Sequence, residues 1–387
     1  MNNKKSGGSF GLKTLKISLL AIGAGALIIG CHKPEINPKD LKNFEQVNLV
    51  ANKAKYHPVN PLDPTLQNAF GIAWSSTGIA WVNSAFGHVS ELYNSEGVIA
   101  RAPVNIPSPT DSIGGLPCGV VFAGGKGFNQ GNGTSAFIFS GFDGVISAWN
   151  PASGNNAKRL RVPPGAGYSG LAIAANNGKN YIYGANFLAN KIDVWDTAFA
   201  RVNMTFKDPT IPANYSPYNI QAVGDWLFVM YAELINGFHG TAGLGRGFVS
   251  VFNTDGSFVK RFASRGTLNI PWGVVMAPAS FLKDEDMGGG NDGGIYDKGG
   301  NETARGSHDP ADPVILVGNF GDGRINVFSV DGIYLGQLQS HNHPIEIEGL
   351  WALSFAPTTT TIDQKRLYFS AGPAEEADGV FGYLIKR

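Results

Sequence analysis

Phe70-Gly71-Ile72-Ala73-Trp74 is a short apolar segment that returns, in varied form, five more times along the chain. Counted at the second residue, which is Gly71 in the first copy, the later copies stand at Gly119, Gly170, Asn219, Gly273 and Ala352. The first four intervals between copies are 48, 51, 49 and 54 residues, and the last is 79. A nearly constant period of this size is the sequence signature of a repeat architecture.

Each copy is followed by a second alternating segment, a tight turn and a third alternating segment. Asp143-Gly144 and Asp322-Gly323 occupy two of these turns, and Asp-Gly between alternating apolar runs is a strong hairpin signal. A fourth segment follows turns such as Asp255-Gly256 and Asp331-Gly332. Four antiparallel strands in each of six units predict an all-β, six-bladed β-propeller. The two-residue alternation argues against a helical repeat.

The two ends of the repeat array predict how the ring closes. The last unit contains only three strands, the third of which covers residues 380–385. Residues 45–52 alternate correctly and precede the first copy, so we expect them to supply the missing fourth strand and leave no open edge. The long last interval contains residues 281–313, which are rich in Gly, Asp and Asn and predict a flexible insertion.

Several stretches resemble an uncharacterised family of bacterial secreted and lipoprotein β-propellers with NHL-like repeats. The resemblance begins near Phe44 and continues to the C-terminus, and it lies in residues 140–149, 208–221, 271–274, 318–326 and 349–351. It implies six blades. The family is grouped by a shared domain model and has no assigned activity, so the resemblance transfers no substrate and no site residue. The insertion after Ser280 departs from the family pattern.

One face of the predicted ring gathers most candidate ligand-binding residues. In a propeller, the loops that enter the innermost strands and the loops that join second and third strands lie together around the channel mouth. Aromatic rings beside amides and carboxylates suit a polar organic ligand. Alternatively, the Asn and Asp residues shape turns and the rings pack between blades. The candidates are Phe70, Asn83, Tyr168, Asn186, Tyr218, Glu233, Trp272, Asn319, Asp322 and Trp351.

These residues support two hypotheses about function. The first is a monomeric binding or scaffolding module whose rim recognises a glycan, a peptide or a partner protein. The second is a hydrolase or lyase, lactonase-like or sugar-acting, with a metal at the channel mouth. The second rests on analogy between folds alone. Outside the predicted signal peptide of residues 1–30, the sequence contains no Gly-x-Ser-x-Gly elbow, no His-Glu-x-x-His pair and no phosphate-binding loop.

Two further groups of residues are weaker candidates for chemistry. The fourth unit has a long irregular loop in which Glu233, His239 and Arg246 would serve as base, proton carrier and anion clamp, or would simply be solvated. His341 and His343, if they lie on one strand, would face the same way and share a metal ion.

The remaining candidates concern calcium and a thiol. No cofactor is predicted, although the acidic residues between 284 and 297 offer oxygen ligands of the kind that Ca²⁺ accepts. The ordered spacing of a calcium loop is absent there. Cys118 lies between Pro117 and Gly119 in a predicted turn between blades, where a buried structural thiol is favoured over a reactive nucleophile.

The N-terminus predicts export. Residues 1–30 combine four lysines with an apolar run at positions 17–29, which is too short to span a bilayer and typical of a signal peptide. Residues 27–31, Leu-Ile-Ile-Gly-Cys, resemble a bacterial lipobox, so Cys31 would be acylated and anchor the protein to a membrane. His32 in place of Asp favours the outer membrane. The alternative is cleavage nearby by an ordinary signal peptidase. Residues 31–44 would form a tether and residues 45–387 the propeller.

Composition limits the partners of the exported chain. Removal of residues 1–30 takes away four lysines and no acid, which leaves 26 basic and 30 acidic residues and a formal charge of −4. This excludes the basic surface of a nucleic-acid-binding protein. Besides Cys31 the only cysteine is Cys118, so no disulfide forms within the domain.

Overall fold

The computed structural model describes residues 38–278, 280–282 and 313–387. The chain divides into two units, Met1–Pro34 and Glu35–Arg387, and every described residue belongs to the second. The predicted signal peptide, Cys31 and nearly all of the predicted insertion therefore lie outside the described residues. Among the described residues, no helix has the length and apolar character needed to cross a membrane.

The first part of the described chain forms a strand that belongs to the last blade, followed by blades 1 and 2. Short 3-10 helices cover Pro38–Leu41, Ala54–Tyr56 and Pro151–Ser153. The first strand is β1 (Phe44–Ala51). Blade 1 contains β2 (Ala69–Trp74), β3 (Ala80–Ser84), β4 (Val89–Tyr93) and β5 (Ile99–Asn105). Blade 2 contains β6 (Pro117–Phe122), β7 (Phe137–Gly141), β8 (Ile146–Trp149) and β9 (Lys158–Arg161).

Blades 3 and 4 have longer inner strands. Blade 3 contains β10 (Tyr168–Asn176), β11 (Lys179–Asn186), β12 (Lys191–Trp195) and β13 (Arg201–Val202). Blade 4 contains β14 (Tyr215–Val223), β15 (Trp226–Ile235), β16 (Phe238–His239), β17 (Phe248–Phe252) and β18 (Phe258–Ser264). The extra strand β16 pairs with the end of β15, so the irregular loop of blade 4 is an extended hairpin.

Blades 5 and 6 complete the ring. Blade 5 contains β19 (Pro271–Ala277), β20 (Val314–Asn319), β21 (Ile325–Ser329) and β22 (Tyr334–Gln337). A small hairpin, β23 (Gln339–Ser340) and β24 (His343–Pro344), leads into blade 6. Blade 6 contains β25 (Leu350–Ser354), β26 (Leu367–Ala371) and β27 (Val380–Lys386), and β1 pairs antiparallel with β27 as its outermost strand. The predicted six blades and the N-terminal closing strand are confirmed.

The ring closes through its innermost strands. Each contacts the innermost strand of the next blade, and β25 contacts β2. The glycines of the repeat permit this approach, because a Cβ atom on Gly119 would lie 2.5 Å from the Leu171 amide nitrogen. A Cβ on Gly71 would collide with the Cys118 carbonyl in the same way. The repeated glycine therefore reports strand packing around the channel.

Side chains also bond each blade to the next. Asn83 Nδ2 donates to the Cys118 carbonyl at 3.2 Å, and Asn219 Nδ2 donates to the Trp272 carbonyl at 2.8 Å. The Ser370 hydroxyl donates to the Phe70 carbonyl and so connects blade 6 to blade 1. Between blades the cores are aromatic, as where Trp81 stacks on Phe137 with ring centroids 4.0 Å apart. Hydrophobic burial between blades supplies most of the stability.

The strand directions define two faces. The mouth face carries the loops that enter the innermost strands and the hairpins between second and third strands. The opposite face carries the other two sets of turns. β1 begins at the opposite face, where Phe44 pairs with Lys386, and Pro38–Leu41 contacts the outermost strand of blade 5. The chain therefore reaches the ring at its outer edge, away from the channel mouth.

Candidate functional site

Five aromatic side chains from the mouth face pack together on the channel axis. We call them the aromatic plug; they are Phe70, Tyr218, Trp272, Phe320 and Trp351. Trp351 is sandwiched, with Phe70 at 3.8 Å on one side and Phe320 at 4.0 Å on the other. Trp351 is only 1% exposed, whereas Phe320 is half-buried. The predicted rim of aromatic residues is thus a filled core at the mouth rather than an open shelf.

The plug connects blades that are not neighbours. Trp272 of blade 5 donates from Nε1 to the Ser169 carbonyl of blade 3 at 3.0 Å. Its ring also meets Phe70 of blade 1 edge-on, with centroids 5.3 Å apart. Tyr218 of blade 4 lies 6.0 Å from Trp351 of blade 6. Such contacts cross the axis, so the plug closes this end of the channel.

A cavity of about 260 Å³ lies in the channel among the innermost strands. Trp272 of the plug lines it, as do Trp74 and Phe122, which lie at the ends of their strands toward the opposite face. Gln221 contributes the largest polar side chain, and no charged side chain of the described residues lines the cavity. Because the plug fills the mouth, this cavity and the mouth surface are separate places.

The predicted amide residues hold the hairpins of the mouth face. Asn186 is buried; its Oδ1 accepts from the Gly167 amide at 3.1 Å, and its Nδ2 donates to Asp193 at 2.9 Å. Asn319 is also buried, and its Nδ2 donates to Asp322 at 3.0 Å. Asn83, as described above, connects blades 1 and 2. These contacts favour the turn-shaping interpretation, while a part in ligand binding stays a prediction.

Tyr168 and Asp322 are likewise engaged within the protein. Tyr168 is buried between strands, and its hydroxyl donates to Asp193 at 2.7 Å. Burial, together with the charge and hydrogen bond of Asp193, raises the pKa of Tyr168. Asp322 accepts from the Arg324 amide at 3.1 Å within its turn. Neither side chain reaches the plug.

The blade 4 hairpin separates the three residues proposed from its sequence. Arg246 and Glu233 form an ion pair at 3.6 Å, and Asn214 donates to Glu233 at 2.7 Å. The His239 ring packs instead on the plug, 5.1 Å from Phe320 and 5.9 Å from Tyr218. The Glu233–Arg246 ion pair therefore lies at the stem of the hairpin, and the His239 imidazole lies at the mouth.

The structure adds a residue that sequence reasoning missed. Glu376 lies in the hairpin between β26 and β27, half-buried at the mouth, and accepts a 2.7 Å hydrogen bond from Asn68 Nδ2. Asn68 Oδ1 in turn accepts from the Trp351 indole Nε1 at 2.8 Å. Burial raises the pKa of Glu376, against the lowering effects of the Asn68 hydrogen bond and of His239. Glu376 is the carboxylate bonded, through one amide, to the plug.

The backbone around Glu376 is strained. Ala374, Glu375 and Glu376 have φ values of 56°, 54° and 69°. A left-handed conformation costs a non-glycine residue on the order of 1 kcal/mol. The turn is held by Asp378, whose carboxylate bonds Asn52, Tyr56 and Lys55. Strained residues of this kind persist only where the surrounding structure fixes them, and they cluster at functional sites, so the turn makes Glu376 a candidate site residue.

Around the plug the mouth face exposes large apolar side chains. Phe238 is 70% exposed and Leu244 67%, both on the blade 4 hairpin beside Ile235. Leu188 of blade 3 is exposed next to this hairpin, where a Cβ on Gly237 would lie 3.9 Å from its Cδ2. Clustered apolar side chains on a surface are a common mark of a binding face.

The weaker predictions from the sequence fare differently. His341 and His343 do not lie on one strand, because β23 ends at Ser340 and the chain turns before β24; both are exposed. Within the described ranges no three His, Cys, Asp or Glu side chains converge as metal ligands. Cys118 lies inside β6 rather than in a turn, and burial raises the pKa of its thiol. The proposed calcium loop lies outside the described residues.

Comparisons with known proteins leave the activity open. No protein-family model matches the chain. The mimivirus protein R648 of Acanthamoeba polyphaga mimivirus, itself uncharacterised, is 29% identical over 376 residues, which cover 92% of this chain and 84% of R648. The uncharacterised mimivirus protein L690 is 38% identical over 228 residues, 57% of this chain, and the match spans about half (51%) of L690. These relatives are viral, whereas the sequence motifs resemble bacterial proteins.

Solved β-propellers are similar at low identity. A virginiamycin B lyase from Staphylococcus aureus has a TM-score of 0.46 and 14% identity, over 82% of this chain and 80% of the lyase. A gluconolactonase from Xanthomonas campestris has a TM-score of 0.44 and 13% identity, over 82% of this chain and 86% of the lactonase. No residue role follows from likenesses this distant.

Proposed function

We propose that this protein is an exported, lipid-anchored propeller that binds a peptide or a partner protein on its mouth face. The observation that carries the proposal is the exposed apolar surface formed by Ile235, Phe238 and Leu244 beside the plug. Polar groups reachable from the same face are Glu376 and His239, which would orient a partner. Apolar contact area with a few fixed polar groups is the usual composition of a recognition surface.

A protein or peptide fits this face better than a glycan. Sugar rings stack on open aromatic faces, but Trp351 has both of its faces covered by neighbouring rings. The exposed side chains of the hairpin are mainly aliphatic and protrude from the surface. The sequence also suggested a glycan as the ligand. Glycan binding is therefore measured as the competing outcome of the test.

The anchor is compatible with this arrangement. The sequence motif at residues 27–31 alone supports acylation of Cys31 at the outer membrane of a bacterium. The described chain joins the ring at its outer edge, at the opposite-face end of β1 and not at the mouth face. Replacement Cys31→Ala should move the protein from the membrane to the soluble fraction and abolish palmitate labelling. Retention of label and membrane association by the variant would contradict the anchor.

The binding proposal is tested by peptide selection on the purified protein. Peptides chosen from a random phage-displayed library are measured by titration calorimetry against the wild type and two variants. Phe238→Ser should weaken binding at least tenfold. Trp226→Ser, which changes a 45% exposed side chain on the opposite face, should leave it within twofold.

The same proteins are applied to a glycan array as the competing outcome. Binding of a glycan with the same affinity by the wild type and by Phe238→Ser would contradict the proposal. So would peptides whose binding depends on Trp226 rather than Phe238.

A further inference from the structure

The carboxylate of Glu376 has no cation, in contrast to three buried acids of the described blades that are each held in an ion pair. Asp193 is paired with Arg201 at 2.7 Å, Asp208 with Arg261 at 2.6 Å, and Asp378 with Lys55 at 2.8 Å. Within the part of the chain that the structure describes, no basic nitrogen lies within 4.0 Å of the Glu376 carboxylate. Its one side-chain partner is the neutral amide of Asn68.

The protein maintains this unpaired acid at a cost. Removing a carboxylate from water without a cation is unfavourable, and the left-handed turn that presents it adds strain. Other acids of the described blades also have no ion pair, but Glu91 and Asp63 are buried together in blade 1, and Asp143, Asp196 and Asp322 accept backbone N–H groups in turns. Glu376 is half-buried at the mouth and, among the described residues, has only the Asn68 amide as a hydrogen-bond donor to its carboxylate.

Glu376 lies next to the aromatic plug. Trp351 is connected to Glu376 through Asn68, and Phe320, half-buried, stacks on Trp351. The titratable groups that interact electrostatically with Glu376 are His239, Tyr218 and Cys118. A carboxylate at the edge of an apolar surface suits an organic cation, because the carboxylate bonds the ammonium group while the surface contacts the carbon chain.

We propose that Glu376 receives the ammonium group of a ligand, such as a lysine side chain or a primary amine, at the mouth of the channel. A metal ion is the poorer occupant, since it requires three or more ligating side chains and the described residues bring together no such group. An ammonium group needs one carboxylate and tolerates apolar neighbours. The inference rests on the proposed function and specifies the part of the partner that docks beside the plug.

The Trp351 indole provides the reporter, because its N–H shares Asn68 with Glu376. ¹H–¹⁵N spectra of the purified protein are recorded at pH 8 during titration with butylammonium chloride, and the signal is assigned with Trp351→Phe. We expect a saturable shift in the millimolar range. The same concentrations of 1-butanol, and of potassium chloride, should leave the signal in place.

Two variants locate the effect. Glu376→Gln keeps the shape and the bond from Asn68, and should weaken butylammonium binding at least tenfold. Asp111→Asn changes an exposed acid elsewhere on the mouth face and should leave binding within twofold. Thermal unfolding of both variants verifies the fold. Equal shifts with 1-butanol, or an unchanged affinity in Glu376→Gln, would overturn the inference.

The butylammonium titration and the peptide selection can fail independently of each other. Peptides that bind through Phe238 while butylammonium shifts nothing would remove the ammonium site and keep the recognition face. A saturable, Glu376-dependent shift with no mouth-face peptide would keep the ammonium site and remove the proposed function.

Discussion

Blades 1 and 3 place a buried carboxylate at the same point of the third strand and treat it in opposite ways. Asp193 in β12 and Glu91 in β4 each stand two residues before a buried aromatic side chain. Asp193 receives hydrogen bonds from Tyr168 and Asn186 and pairs with Arg201. The repeat therefore determines where a buried carboxylate lies. Its neighbours determine how much free energy the burial of its charge costs.

Glu91 has a different environment. Its carboxylate accepts from the Thr65 hydroxyl at 2.6 Å, and that hydroxyl also contacts Asp63 at 2.7 Å, so two acids meet without a cation. Burial, then the charge of Asp63, raises the pKa of Glu91 to about 7. Burial alone would raise the pKa of Asp193. The hydrogen bonds from Arg201, Tyr168 and Asn186 outweigh burial and lower that pKa. Below about pH 7, Glu91 is therefore mainly protonated, whereas the Asp193 carboxylate is held in its charged form.

The largest effect is expected from removing the compensated charge. Asp193→Asn leaves Arg201 and the Tyr168 hydroxyl without their acceptor, and should cost about 3 kcal/mol of unfolding free energy at pH 7. Urea unfolding followed by tryptophan fluorescence measures it. The control Asp331→Asn changes an acid that is 79% exposed and should alter stability by less than about 0.5 kcal/mol. Similar losses in the two variants would contradict the comparison.

The second-largest effect is a gain in the free energy of unfolding rather than a loss. In the wild type, folded Glu91 keeps a proton that the unfolded chain releases, so its contribution to stability falls as the pH rises from about 4.5 to about 7. Glu91→Gln removes that loss and should be more stable than the wild type by up to about 3 kcal/mol at pH 8. At pH 4.5 the gain should vanish. A gain that is independent of pH would show that the Glu91 charge is not its source.

A smaller effect is expected at the mouth. Glu376 is half-buried rather than sealed, so Glu376→Gln should change the unfolding free energy by less than about 1 kcal/mol at pH 8. The same substitution therefore separates a sealed acid from an accessible one. Parallel urea unfolding of the two Glu→Gln variants makes the measurement, and a gain at Glu376 as large as at Glu91 would mean that the mouth acid is sealed.

The strands and the ring closure could be predicted because they depend on local pattern. The alternation around Gly71, the Asp-Gly turns and the missing fourth strand of the last unit each specify one blade element. The strand β1 begins at Phe44, one residue from the predicted start. The extra pairing in β16 was signalled only as an irregular loop.

The site was harder because pattern does not give side-chain direction. The sequence placed Trp272 and Trp351 at the mouth correctly, but their packing across the axis depends on six blades at once. The sequence analysis did not single out Glu376, because it lies two residues before Asp378-Gly379 in a long hairpin rather than in a short Asp-Gly turn. The one available clue was Gly372-Pro373 followed by acids where the other blades carry short turns.

The central claim is that ligands bind on the mouth face. Hydrogen–deuterium exchange of the protein with and without a selected peptide tests it directly, because it maps protection along the whole chain. We predict slower exchange in residues 235–245 and 372–378, and unchanged exchange in the opposite-face turns at 253–257 and 329–333. Protection confined to those opposite-face turns would contradict the claim.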